Sequence, residues 1–194
     1  DDITFLIAYG TLPMQTEQES RSLYGAVYDR YIFIHHDGND ESVLVDLGKT
    51  SYGTPVKIRK EVIESDVLIS IEAISHHYFA GYGGGRKLIF PGLAATSSIY
   101  KNHSLFIDFQ NKCLHLDCKC SNLNMNPVVL DLEEISGYFP ERLEIYGIMD
   151  HNGEVANFYF GNGYEDFKKA CNEYNKYYKI NTIHKYDLIV ASCG

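Results

Sequence analysis

The apolar residues of the chain fall into short runs that end at glycine or at charged residues. Residues 3–9 form a continuous apolar run that stops at Gly10, which is typical of a β-strand buried on both faces. The same pattern predicts further strands at 31–35, 43–47, 66–71, 143–149, 155–160 and 187–191. The turn residues 150–153 (DHNG) predict a hairpin between two of these strands.

Helices are predicted between the strands. Thr16 and Glu19 have the spacing of a capping box, which predicts a helix that runs to about Gly25. Further helices are expected at 56–64, 97–109, 127–136 and 164–177. This alternation predicts an α/β fold, a layered sheet with helices on both faces, in a single domain over residues 1–194. The chain starts almost inside its first strand and stops just after its last, so we expect a fragment of a longer protein.

Composition and charge narrow the class of protein. The 194 residues include 17 Lys and Arg against 26 Asp and Glu, a net charge of −9. An acidic balance argues against a general nucleic-acid or membrane-surface binder, since these need a positive face. No apolar run approaches the roughly 18 residues of a membrane span. Together with a start unlike a signal peptide, this predicts a cytoplasmic protein without nucleic-acid or membrane partners.

The five cysteines leave two interpretations open. They are Cys113, Cys118, Cys120, Cys171 and Cys193, an odd number at uneven spacing, which does not suit a disulfide framework. With His115, the first three could form a metal cluster, although C-x4-C-x-C is not the spacing of structural zinc sites. The alternative, which we favour, is a loop or hairpin that carries reduced thiols.

Residues 75–92 (SHHYFAGYGGGRKLIFPG) are the part of the chain that indicates chemistry. The glycines between 81 and 85 would let backbone N–H groups approach an anion, and Arg86 and Lys87 add positive charge. The segment matches neither the Walker A motif nor G-x-G-x-x-G. The competing interpretation is a flexible glycine turn with a solvated Arg-Lys pair.

The position of this segment favours a functional site. It follows the predicted strand 66–71, and in open α/β sheets ligands bind beyond the carboxyl ends of the strands. His76 and His77 would bring a general base close to the amine of Lys87, a possible nucleophile. His103 is a candidate metal ligand by residue type alone. The residues themselves therefore predict an enzyme site for an anionic ligand.

The tract H-x-x-A-G-Y-x-G-G-R-K-x-x-x-P-G at 77–92, followed by Asn102 and His103, resembles the nickel-dependent lactate racemase family. Further similar stretches lie at 7–17, 45–56, 126–128, 160–162 and 187–194. The resemblance covers essentially the whole chain, and its most specific part is the tract from His77 to Lys87.

The resemblance implies an isomerase that carries a nickel-pincer nucleotide, nickel held by a pyridinium-3,5-bisthiocarboxylic acid mononucleotide. Lys87 corresponds to the lysine that is joined covalently to this cofactor, and His103 to the histidine that binds nickel. His77 corresponds to a catalytic base that takes the hydroxyl proton of a small 2-hydroxy acid while the Cα hydride moves to the cofactor. The loop residues beside the lysine would contact the cofactor: Gly83, Gly84, Gly85 and Arg86. Cofactor-maturation enzymes are the implied protein partners.

The sequence departs from the family at one important position. Where the family has His-Arg after Gly10-Thr11, this chain has Leu12 and Pro13, and leucine cannot accept a proton. His36 matches another family histidine, but a turn-capping role is the interpretation we favour for it. The family's upstream acidic and arginine motif, and its downstream Tyr, Gln and Lys residues, lie outside the sequence.

Three functional hypotheses follow. The first is the cofactor-binding domain of a nickel-pincer racemase or epimerase of lactate or another 2-hydroxy acid. The second is a relative that performs one-sided 2-hydroxy-acid redox chemistry, because Leu12 removes one base. The third is a non-catalytic anion-binding module that uses the glycine loop. The resemblance implies that the chain is a fragment of a larger two-domain enzyme, and as a fragment it is expected to be inactive and to lack the cofactor.

Overall fold

The computed structural model describes residues 3–181 and 186–190, which form a mixed α/β fold. The strands are β1 (Thr4–Ile7), β2 (Ile32–His35), β3 (Leu44–Lys49), β4 (Pro55–Arg59), β5 (Leu68–Ala73), β6 (Ser75–His77), β7 (Gly81–Gly83), β8 (Ile107–Asp108), β9 (Cys113–Leu114), β10 (Arg142–Met149) and β11 (Val155–Gly161). The helices are α1 (Glu17–Tyr24), α2 (Ala26–Arg30), α3 (Glu61–Glu64), α4 (Thr96–Ser104), α5 (Pro127–Ser136) and α6 (Tyr164–Tyr178). The predicted α/β class is confirmed, and the described strands are distributed over one three-stranded and four two-stranded sheets.

The first unit is a β-α-β crossover. Strands β1 and β2 pair in parallel, with Thr4 opposite Ile32, and helices α1 and α2 connect them. The predicted capping box is present, since Thr16 Oγ1 accepts the Glu19 N–H and the Glu19 carboxylate accepts the Thr16 N–H at 2.7 Å. These two bonds satisfy backbone donors that would otherwise be unpaired at the helix start.

The three-stranded sheet supports the candidate site. Its order is β11-β10-β5, with β5 parallel and β11 antiparallel to β10. The predicted hairpin of β10 and β11 and the predicted helices α5 and α6 are confirmed within one or two residues at each end. On the inner face, Glu144 is buried and pairs with Arg142 at 2.7 Å, and it accepts a hydrogen bond from the Tyr146 hydroxyl.

The outer face of this sheet differs from the expectation. A strand buried on both faces is predicted at 66–71, but in β5 the side chains of Ile69 and Ile71 are 53% and 62% exposed. Their neighbours across the strands continue an apolar surface: Leu143, Ile145, Phe158 and Phe160. Strand β1 is likewise only partly buried. In β5 the exposed face therefore carries Ile69 and Ile71, whereas the inner face carries Leu68, Ser70 and Glu72.

The helix predicted at 56–64 is wrong over its first half. Residues 55–59 form β4, which pairs antiparallel with β3, and only the short helix α3 follows. Val56 and Ile58 alternate with more exposed residues and are themselves fully buried, a period of two that fits a strand. The helix predicted at 97–109 also ends early, because residues 107–108 pair with 113–114 as β8 and β9.

Two clusters of buried side chains hold these elements together. The larger one joins β4, the segment after β7, α4 and α5: Val56, Ile58, Phe90, Ala94, Ile99, Val128, Leu132 and Ile135 are among its members. The smaller one lies between β10, β7 and α6: Ile74, Tyr82, Tyr146, Phe167, Ala170 and Cys171. The glycine-rich loop runs between the two clusters.

Three remaining expectations concern the cysteines, the chain end and the membrane. Cys113 and Cys120 are exposed thiols in the β8–β9 region, and the described residues contain no group of three or more His, Cys, Asp or Glu side chains placed to hold a metal ion. The strand predicted at 187–191 is not formed over the described residues 187–190. The apolar side chains of these residues are exposed to solvent, and no described strand pairs with them. Residue 191 and Cys193 lie outside the described residues. Among the described helices, none has the length and apolar character needed to cross a bilayer.

Candidate active site

The glycine-rich segment folds as a small hairpin followed by a 3-10 turn. Strands β6 and β7 pair antiparallel, with His77 opposite Gly81, and the turn occupies Gly85–Leu88. The hairpin begins two residues after the end of β5. The segment therefore lies beyond the carboxyl end of a strand, as the sequence predicts.

Gly84 and Gly85 allow a close approach between the loop and the rest of the domain. Both have positive φ, +91° and +66°. A Cβ on Gly84 would lie 2.9 Å from the carbonyl oxygen of Ala73, and one on Gly85 would lie 2.5 Å from Cδ2 of Phe167. A side chain at either position would collide with the end of β5 or with α6, so the glycines hold Lys87 close to both elements.

Lys87 lines a shallow cleft of about 240 Å³ between the loop and the end of β1. One wall is formed by residues 8–10, and Gly10 donates a hydrogen bond of 2.9 Å to the Gly92 carbonyl, which joins the two walls. Gly83, Gly84 and Glu72 line the opposite side. The cleft thus brings together a cation, a carboxylate and glycine backbone.

The electrostatics of the cleft favour a reactive amine. Burial, assisted by the charge of Arg86 and opposed by the Glu72 carboxylate, lowers the pKa of Lys87 to about 8. Burial raises the pKa of Glu72 well above its ordinary value, and the nearby Glu144 carboxylate acts in the same direction. A lysine with a pKa near 8 has a substantial fraction of free amine at neutral pH, the nucleophilic form.

Glu72 is the site residue that the sequence reasoning missed. Its signal is a lone carboxylate in an otherwise apolar strand, LISIEA, directly before the histidine and glycine tract. One of its oxygens is buried without a hydrogen-bond partner. Such a carboxylate is costly unless a nearby cation or hydrogen-bond donor compensates it, and Lys87 is the cation in the same cleft.

The predicted histidines His77 and His103 lie on two sides of the Phe79 ring. The ring centroid of Phe79 is 4.6 Å from that of His77 and 5.2 Å from that of His103, with near-perpendicular contacts in both pairs. Burial and the charge of Lys87 lower the pKa of His77 to about 4, and the same two causes lower that of His103. Both rings are therefore neutral at pH 7, and the buried Nδ1 of His103 has no hydrogen-bond partner.

Arg86 points away from Lys87. Its side chain is buried and lines a different cavity of about 250 Å³, next to α6. The guanidinium carbon lies 4.5 Å from the ring centroid of Tyr164 and 5.3 Å from that of Phe167, which is cation–π geometry. The Arg86 side chain therefore packs against α6. The contact between Arg86 and a cofactor, expected from the sequence, stays a prediction.

The remaining candidate positions lie outside this group. His76 bonds the Asn175 side chain on α6 at 3.0 Å, and His36 is buried with its Nε2 2.9 Å from the Ala94 carbonyl oxygen. Neither histidine lines the cleft of Lys87. Leu12, where the resembling family has histidine, is 73% exposed.

The protein is thus an α/β domain that presents a lysine of lowered pKa in a cleft beside a glycine loop. His77 and His103 are not among the residues that line this cleft, but the charge of Lys87 contributes to lowering the pKa of both. The family model of the lactate racemase N-terminal domain matches residues 1–114, which are more than half of the chain. The chain therefore belongs to this family.

Individual relatives agree with this assignment. The lactate racemase of Thermoanaerobacterium thermosaccharolyticum is 26% identical over the whole chain, and that of Lactiplantibacillus plantarum is 36% identical over 53% of it. The structure of the Thermoanaerobacterium apoprotein superposes on 89% of the chain with a TM-score of 0.81. A Thermotoga maritima protein of 19% identity, with a TM-score of 0.71, shares the fold.

The chain spans less than half the length of these relatives. It covers 44% of the Thermoanaerobacterium racemase, 24% of the Lactiplantibacillus racemase in the matched region, and 40% of the solved apoprotein chain.

Proposed function

We propose that residues 1–194 are one cofactor-binding domain of a racemase or epimerase that acts on lactate or another small 2-hydroxy acid. The observation that carries this proposal is the partly buried Lys87, with its pKa lowered to about 8, in a cleft that it shares with Glu72 and the glycine loop. Membership of the lactate racemase N-terminal domain family supports the class of reaction.

The side chains of this region fit a nickel-pincer nucleotide. The amine of Lys87 suits covalent attachment, and His103 offers a neutral imidazole whose buried Nδ1 is unpartnered, a donor that suits nickel. When bound, the cofactor supplies reversible hydride acceptance from the substrate Cα. Gly83 and Gly84 line the same cleft as Lys87 and add no side chains of their own to it.

The chain's own residues would perform binding and proton handling. His77 is the residue we assign to the substrate hydroxyl, because it is neutral at pH 7 and lies near Lys87, whose charge contributes to lowering its pKa. Glu72 would hold the Lys87 amine in place within the cleft. The proposed location is the cytoplasm, where cofactor-maturation enzymes would load the site.

One observation favours a second candidate function. Racemisation needs a proton acceptor on each side of the substrate carbon, and exposed Leu12 occupies the position where the family has a second histidine. One-sided redox chemistry between a 2-hydroxy acid and its 2-keto acid requires only His77. Transfer of deuterium from a Cα-deuterated hydroxy acid to an unlabelled 2-keto acid, with products of a single hand, would favour this alternative.

Intact mass and metal content test the proposal. The full-length protein is expressed with the cofactor-maturation enzymes, alongside the variants Lys87→Ala and Lys60→Ala, the latter replacing an exposed lysine outside the cleft. Wild type and Lys60→Ala are expected to carry nickel and an added mass on Lys87, and Lys87→Ala to lose the added mass while remaining folded. An unmodified wild type, or an adduct that survives in Lys87→Ala, would contradict the assignment.

A further inference from the structure

The ring of His77 is held by its own hairpin. The backbone N–H of Ala80 donates a hydrogen bond of 3.1 Å to Nδ1 of His77. Tyr78 stacks on the imidazole with centroids 5.0 Å apart, and Phe79 contacts its edge. Ala80 is itself buried. The ring is therefore fixed by three consecutive residues of the turn between β6 and β7.

The direction of this hydrogen bond determines where the ring carries its proton. An amide N–H can only donate, so Nδ1 must offer a lone pair. A neutral imidazole that accepts at Nδ1 carries its hydrogen on Nε2. The other tautomer and the imidazolium ion would each place an N–H of the ring against the N–H of Ala80.

We propose that the Ala80 N–H is a positioning group that locks His77 in the Nε2–H tautomer, so that the resting ring offers a donor to substrate oxygen and cannot take a proton until this hydrogen bond opens. The tautomer does not depend on the proposed function. Only the role of His77 toward a substrate hydroxyl rests on the proposed function. The charged or titratable groups that act on the ring are Lys87 and His103, and both lower its pKa, so neither favours a second proton on the ring.

The consequence concerns the order of events at the site. In the resting state the Nε2–H suits an acceptor, such as the carbonyl oxygen of a 2-keto acid or a carboxylate oxygen. For the neutral ring to accept a hydroxyl proton at Nε2, the proton already there must first move to Nδ1, and the Ala80 N–H must leave Nδ1 to make room for it. The loss of this single hydrogen bond is small enough for substrate binding to offset it.

Nitrogen NMR of the cofactor-free chain tests the lock directly. A sample labelled with ¹⁵N in histidine and in alanine is studied at pH 7, and the His77 signals are assigned by their loss in His77→Gln. We expect a protonated Nε2, an unprotonated Nδ1 and a scalar coupling between Nδ1 and the amide nitrogen of Ala80 across the hydrogen bond. A protonated Nδ1, an imidazolium ion or the absence of that coupling would overturn the proposal.

A variant separates the lock from ordinary packing. Ala80→Pro removes the amide hydrogen, whereas Ala80→Ser keeps it and serves as the matched control. If Ala80→Pro folds, the coupling between Nδ1 of His77 and the backbone nitrogen of residue 80 is expected to vanish. His77 should then become protonated at a higher pH than in Ala80→Ser. Protonation of His77 at the same pH in both variants would contradict the lock. If it does not fold, the wild-type coupling decides. None of these measurements needs cofactor, so their failure is distinguishable from a failure to find an adduct on Lys87.

Discussion

The contact between Gly85 and the Phe167 ring gives a prediction whose size follows from the structure. Replacing Gly85 by Ala adds a Cβ that would lie 2.5 Å from Cδ2 and 2.9 Å from Cε2 of the ring. Phe167 is buried in the smaller core cluster, packed against Tyr146, so the ring has little free space into which to move. The backbone must in addition keep a φ of +66°, which L residues rarely adopt.

The two costs can be estimated separately. A left-handed conformation at a residue with a Cβ costs roughly 1–2 kcal/mol. Forcing a methyl group into a packed core costs roughly 1–3 kcal/mol. We therefore expect Gly85→Ala to lower the free energy of unfolding by about 2–5 kcal/mol.

Gly153→Ala is the matched control for the steric part. Gly153 has a φ of +81°, but a Cβ there would meet no heavy atom within 4 Å. It should therefore show only the backbone cost, and the difference between the two variants should be about 1–3 kcal/mol. Urea unfolding followed by circular dichroism measures both, with the slope against urea unchanged. Equal destabilisation of the two variants would refute the claim that the loop packs against Phe167.

The remaining predictions concern two buried charges. Arg142→Met is expected to destabilise the chain by about 3–5 kcal/mol, because it leaves Glu144 buried without its partner at 2.7 Å. The double variant with Glu144→Gln should recover most of this loss in urea unfolding, and a single variant as stable as wild type would argue against the pair. Glu72→Gln is expected to lower the pKa of Lys87 below about 8, since the carboxylate raises it, and so to increase acylation of Lys87 at pH 7. Peptide mapping after timed acylation across pH measures this, and slower acylation than in wild type would contradict the role of Glu72.

The local elements are the part of the fold that could be predicted from the sequence. The capping box at Thr16, the hairpin at 150–153 and helix α5 depend on neighbouring residues, so their signals are complete in a short window. The histidine and glycine tract could be placed after a strand for the same reason. Strand β4 could not, because a run such as VKIRKEVIE suits a helix until β3 supplies hydrogen-bond partners for its first half.

The candidate site divides in the same way. The reactive groups can be read from the sequence: an amine at Lys87, imidazoles at His77 and His103, and glycines that permit close approach. The pKa values of these groups and the residues that surround them depend on the folded chain. Burial and the proximity of charges, which depend on the packing of β5, the loop and α6, lowered the pKa values of Lys87 and His77, brought Glu72 into the cleft and turned Arg86 toward the aromatic rings of α6. Desolvation and Coulomb energy depend on distance in space, and residues distant in sequence set both.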